Sequence, residues 1–427
     1  MLDRMSRAGV GLAMLALVSC AGTPEASTAP ELIDRDGAYH FLVTDVASGW
    51  HHDVFELRPA DLGLSGDWSI RKDTLRGGKQ DGVDRVTIDT GNLQIVVLPT
   101  RGMSVYEVRC GDLRLGWDSP SREIVHPSLV DLEGRGGLGW LEGFNEFMVR
   151  CGLEFAGHPG TDVMIDNVGN ESTMELSLHG RIGNLPAGRV EVVIEKAAPH
   201  RITLRGTVDE RQFYGPRLRL ETELSVVPGE KTWRVEDTVT NLGDSTQEFQ
   251  VIYHTNFGAP ILEEGAEAFF PARTLQPMND KAAGAVDGHA IYAAPTPGFV
   301  EEVFLVEPFA DADDRTAAVL RNANGDRGAM LEWSVDQLPY FTQWKNTAAR
   351  GDGYVTGLEP GTGFPFNRRI ERAAGRVPQL SAGESRRFRL DFSALDSKPA
   401  VEGAMARVEQ IRAGRPTEVL ADPPTTD

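Results

Sequence analysis

Residues 218–226, LRLETELSV, and 233–239, WRVEDTV, decide the fold. Apolar and polar side chains alternate along both stretches, and Pro228-Gly229 between them marks a turn. Successive side chains of a strand point to opposite faces, so this alternation buries one face and wets the other, as antiparallel sheets require. Upstream, 86–90, 93–98, 190–194 and 202–208 read the same way, with Ala198-Pro199 as a break. Downstream, strands are predicted at 317–319, 329–333, 354–358 and 386–392. One helix is predicted near the C-terminus: Pro399 opens it, Val401, Met405, Val408 and Ile411 share a face, and Gly414 follows. A 41% hydrophobic content suffices for a packed core, and 46 glycines with 25 prolines in 427 residues suit a turn-rich β protein. The expectation is an all-β chain, one large antiparallel β-sandwich with a short C-terminal helix.

Lys and Arg number 43 against 63 Asp and Glu, a net charge of -20. Such a surface repels phosphate backbones and anionic headgroups, which excludes nucleic acid as a partner. Membrane contact is expected only through an N-terminal anchor. Arg4 and Arg7 precede an apolar run over 8–18, too short to span a bilayer but suited to a signal-peptide core. It ends in Leu17-Val18-Ser19-Cys20-Ala21-Gly22, which resembles the lipobox of bacterial lipoproteins and implies lipidation of Cys20. An ordinary secretory signal with a chance cysteine is the alternative. The expected layout is a signal peptide (1–19), a tether (20–36), an N-terminal extension of the sandwich (37–80), the sandwich (81–396), and a helix and tail (397–427). The expected location is the cell envelope, lipid-anchored and facing the periplasm. Export permits a disulfide, but two remaining cysteines, Cys110 and Cys151, are expected to stay unpaired, as buried free thiols do.

The common enzyme motifs fail. No phosphate loop, G-x-S-x-G elbow or H-E-x-x-H occurs, and no metal site is supported. Gly134, Gly136 and Gly139 match G-x-G-x-x-G, with Glu154 beyond, but no βαβ alternation surrounds them, so they are expected to form a plain Gly-rich loop. Trp50, His51, His52 and Trp68 form a second histidine and aromatic group in the N-terminal extension. Three segments stand out: His179-Gly180 with the following RIGNLPA, Tyr253-His254-Thr255-Asn256-Phe257-Gly258 after a predicted strand, and Gly357-Leu358-Glu359-Pro360 at the end of another. Each sets a titratable group beside glycine or proline at a strand end. Two histidines and a glutamate supply an acid, a base and a hydrogen-bonding partner near neutral pH.

In this order the segments resemble the aldose 1-epimerase (galactose mutarotase) superfamily. More narrowly, HGRIGNLPA over 179–187 and YHTNFG over 253–258 resemble a bacterial branch of epimerase-like proteins. PTRGM (99–103), RCGL (150–153) and FTQWK (341–345) extend the resemblance over roughly 81–392. It implies a cofactor-free site for a small sugar or sugar derivative. Glu359 would take the anomeric hydroxyl proton, His254 would protonate the ring oxygen, and His179 would stabilise the developing charge. Trp344 would stack on the sugar, and Arg101, Asn256 and Lys345 would bind hydroxyls or a carboxylate. His179 and the Asn256-Phe257-Gly258 ending depart from the galactose enzymes, which leaves the sugar open. Two other readings stay open: an epimerase, isomerase or lyase on an oxidised or keto sugar, with Arg101 or Lys345 as electrophile, and a non-catalytic carbohydrate-binding protein. A binding protein would tolerate Glu359→Gln, and a mutarotase would not.

Overall fold

The computed structural model describes residues 32–425. The predicted signal peptide, Cys20 and most of the tether lie outside the described residues. Two large sheets of 11 and 13 strands pack face to face. Arg217–Val226 and Thr232–Asn241 sit together at the centre of the first sheet, paired antiparallel from Leu218 opposite Asn241 to Val226 opposite Trp233. Their alternate residues Leu218, Leu220, Leu224, Val235 and Val239 are buried in the core between the sheets. Val86, Ile88, Ile95 and Val97 meet them from the second sheet. Fold class and strand positions follow the periodicity, which works because one face of each strand is buried and the other wet.

The second sheet contains four adjacent strands that carry the site: Tyr340–Asn346, Val355–Gly361, Gln250–Phe257 and Met148–Leu153, in that spatial order. Gln250–Phe257, Val355–Gly361 and Met148–Leu153 are buried on both faces. Tyr253 points into the sandwich, where its hydroxyl donates to Asp237 of the first sheet at 2.8 Å. His254 points the opposite way, toward loops that cover the outer face. Arg150 joins the same inter-sheet network, its guanidinium spanning Asp237 and donating to Thr222 at 2.7 Å.

One boundary differs from the expectation. The tether ends earlier than 36, because Leu32–Arg35 is already a strand paired with Ala38–Asp45. Within the N-terminal extension, Ala38–Asp45 joins the first sheet, whereas Val54–Leu57 and Ser69–Thr74 join the second. The extension therefore completes both layers. Helix Lys398–Arg412 packs Val401, Ala404, Val408 and Ile411 on the outside of the first sheet. The tail then returns, and Glu418–Val419 pairs in parallel with Ala272–Pro277. Cys110 and Cys151 are free and buried.

Candidate active site

His254 and Glu359 come from neighbouring strands of the second sheet. Thr255 lies opposite Leu358 and Asn256 opposite Gly357, which brings the two titratable side chains onto one face. Glu359 Oε1 is 3.3 Å from His254 Nε2. Both residues lie within strands rather than at strand ends, which corrects the expected placement. Gly357 makes room for the carboxyl group: a Cβ there would sit 2.2 Å from Glu359 Oε1.

His179 arrives from a turn. Its φ of 61° lies in the left-handed region that non-glycine residues rarely occupy. The ring donates from Nδ1 to the Ala156 carbonyl at 2.9 Å, and its centroid is 5.3 Å from that of His254. Around the two imidazoles stand Trp140, Phe144 and Trp344, with ring centroids 6.0, 5.1 and 5.4 Å from His254. This aromatic wall removes water. Burial lowers His179 to about 4 and pushes His254 well below its ordinary value, with the neighbouring His179 adding to the effect on His254. Burial raises Glu359 well above the usual carboxylate range, and the nearby Glu301 adds to that. Burial thus favours the protonated carboxyl and the neutral imidazoles.

Asn256 fixes the tautomer of His254. Its Nδ2 donates to the Glu146 carbonyl at 3.0 Å, which leaves Oδ1 to accept from His254 Nδ1 at 2.7 Å. The Nε2 lone pair of His254 then faces Glu359. Asn256 therefore acts through the histidine instead of binding hydroxyls. Arg101 is also displaced from its expected role. It is buried, donating to Glu146 at 2.6 Å, to Asn184 at 3.0 Å, and to the carbonyls of Val125 and Gly143 at 3.0 Å each. It clamps the loops over the site. Lys345 alternates with Trp344 and so points to the other face, where its ammonium donates to the Ile291 carbonyl at 2.8 Å. Trp344 lines the cavity, and its indole donates to Glu301 at 2.8 Å.

The cavity measures about 400 Å³, within the range of small-molecule sites. His179, His254, Glu359 and Trp344 line it, together with residues not anticipated from the sequence: Trp140, Phe144, His158, Glu301 and Thr342. The stretch expected to be a plain Gly-rich loop forms one wall, supplying Leu138, Trp140 and Leu141. Gly139 permits this, since a Cβ there would fall 1.5 Å from the Asp131 carbonyl oxygen. A tryptophan directly after closely spaced glycines was the available signal. Trp50, His51, His52 and Trp68 line no part of the cavity. His51 contacts Thr44 and Lys72 instead. Among the described residues no group of three His, Cys, Asp or Glu is placed to hold a metal ion.

A family described as a domain of unknown function, DUF4432, matches residues 80–394. The chain belongs to this family. The fold of this chain is that of solved aldose 1-epimerase-like and galactose mutarotase-like proteins. The crystal structure of a "putative aldose 1-epimerase" from Klebsiella pneumoniae subsp. pneumoniae is 38% identical, with a TM-score of 0.86 over 92% of this chain and 100% of that one. A galactose mutarotase-like protein from Clostridium acetobutylicum is 14% identical, with a TM-score of 0.54 over 77% of this chain and 98% of that one. The latter similarity concerns the fold alone. No functionally curated protein matches the chain. This DUF4432 member thus combines an aldose 1-epimerase-like sandwich with a cavity built on two histidines and a glutamate.

Proposed function

We propose that this chain is a sugar isomerase of the aldose 1-epimerase type, interconverting anomers by acid–base opening of a cyclic hemiacetal. The observation that carries the reading is the pair Glu359 and His254, both buried and 3.3 Å apart at the floor of an aromatic-walled cavity. The pair holds one proton between two sites. Burial leaves it on Glu359 in the empty cavity. Sugar hydroxyls donating to Glu359 favour the carboxylate, and the proton passes to the bare Nε2 of His254. Glu359 then accepts the anomeric hydroxyl proton while His254 protonates the ring oxygen. The aldehyde rotates, the ring closes on its other face, and both protons return. His179 Nε2 accepts from a neighbouring hydroxyl, and Trp344 offers an apolar surface to the ring. Each acid–base group supplies on the order of 10²–10⁴-fold.

The oxidised-sugar reading loses its electrophile, because Arg101 and Lys345 are both turned away and fully engaged. The leader and lipobox-like Cys20 favour an envelope location for this activity. Proton NMR of anomer exchange tests the function on freshly dissolved sugars. Wild-type protein is expected to accelerate exchange, and Glu359→Gln or His254→Ala to reduce it at least ~10²-fold without unfolding. Sugar binding with unchanged exchange across a broad panel would reject it.

A further inference from the structure

We infer that the cavity takes an uncharged, partly deoxygenated sugar; this rests on the carbohydrate reading above and narrows it. Among the described residues, no lysine or arginine lines the cavity. The acidic side chains there are Glu359 on the floor, its carboxyl held toward the neutral form by burial, and Glu301 at the mouth, held by the Trp344 indole. A carboxylate or phosphate on the sugar would pass Glu301 at the rim and lose hydration on the buried floor, with no counter-charge to offset the loss.

The polar inventory is equally short. Inside, it includes the Nε2 atoms of His179 and His254, the Glu359 carboxyl, the Thr342 hydroxyl and the unpartnered indole N–H of Trp140. Thr342 is 1% exposed, and its Oγ1 has no partner. It lies opposite Glu359 in the strand register, so both face the cavity. An anomeric hydroxyl, a ring oxygen and one or two adjacent hydroxyls use up this set. His158 and Glu301 are exposed at the rim, where water competes for them. Apart from the aromatic rings, the remaining wall is Leu138, Leu141, Pro159, Leu178, Val303 and Pro365, of which Leu178, Val303 and Pro365 are buried. A hydroxyl against that wall loses water without replacement, whereas a methyl group there gains from burial. Deoxygenation at the end of the sugar away from the anomeric centre matches this division between polar floor and apolar wall.

The test titrates the full-length protein by tryptophan fluorescence with galactose, 6-deoxygalactose and galacturonate, and with the corresponding gluco series. In at least one series the 6-deoxy sugar is expected to bind about tenfold tighter than its parent, and the uronate about tenfold weaker. Equal affinity of parent and 6-deoxy sugar in both series, uronate affinity matching the parent, or no binding by any of the six overturns the inference. Anomer exchange measured on the same samples separates the two claims. The expected affinity order without accelerated exchange keeps the ligand class and rejects the enzyme. Accelerated exchange of the uronates in preference keeps the enzyme and rejects the ligand class. Glu301→Gln is expected to recover uronate affinity about tenfold, and no recovery refutes the electrostatic exclusion.

Discussion

Gly357→Ala tests the site without touching a titratable group. The new Cβ would lie 2.2 Å from Glu359 Oε1 and 3.2 Å from the Trp344 ring. Ordinary packing places such atoms roughly 3.4 Å apart or more, so the carboxyl oxygen must retreat by about 1 Å. The backbone at Gly357 is not in the left-handed region, so alanine adds no backbone strain. One buried methyl contributes about 0.8 kcal/mol of favourable burial, which offsets much of the local crowding. Global stability is therefore expected to change by no more than about 1 kcal/mol. Catalysis is more exacting: a misplacement of about 1 Å costs on the order of 10²-fold, equivalent to about 2.7 kcal/mol of barrier. Anomer exchange by NMR and urea unfolding on the same preparation read the two quantities separately. Gly403→Ala is the control, since that position lies in helix Lys398–Arg412 with nothing within 4 Å of the added Cβ. It should stabilise by about 1 kcal/mol and leave exchange unaltered. Exchange by Gly357→Ala within about threefold of wild type, in folded protein, would refute the positional argument.

Arg150→Met removes the cation from Asp237 and Tyr253 between the sheets and should destabilise by about 3–5 kcal/mol, measured by urea unfolding. Asn256→Asp sets a negative charge beside His254 Nδ1. It should raise the histidine's pKa, move the acid limb of the pH–activity profile upward and lower kcat, effects that a purely packing role would not produce. Glu210 accepts from the Leu153 amide at 2.7 Å, and burial raises it to about 7. Above its unfolded value of roughly 4.3 the unfolded chain has lost this proton while the fold retains it. Stability therefore falls as pH rises through the window up to about 7, by ~3 kcal/mol in all. Glu210→Gln should flatten that fall, as urea titrations between pH 4 and 8 would show.

The parts of the chain that were legible in the sequence share a physical property. Strands with one wet face, such as Arg217–Val226, advertise themselves through alternation. The site strands do not. Met148–Leu153 is buried throughout and was not anticipated as a strand, while Gln250–Phe257 was expected to end at 252. Covered on both faces, they carry no period of two. The helix was visible because Val401, Met405, Val408 and Ile411 share one face, and that face, with Ala404, packs against the first sheet. His179, His254 and Glu359 were found because each lies in a short motif containing glycine or proline, and the three motifs in order resemble the aldose 1-epimerase superfamily. Trp140 and Phe144, from one covering loop, and Glu301, from another, were missed because the convergence of distant loops leaves no local pattern.

The sequence by itself determined the all-β sandwich, the C-terminal helix and the three titratable residues, because those depend on local periodicity and local motifs. Tertiary structure decided which polar residues face the cavity. Arg101, Asn256 and Lys345 looked like ligand-binding groups as residue types, yet each is satisfied elsewhere. A buried cation or amide must find partners, and which partners it finds depends on strand register and loop convergence over long separations. The same convergence buries His254 and Glu359, which lowers the histidine's pKa and raises the glutamate's, beneath a largely apolar wall that, among the described residues, no lysine or arginine lines.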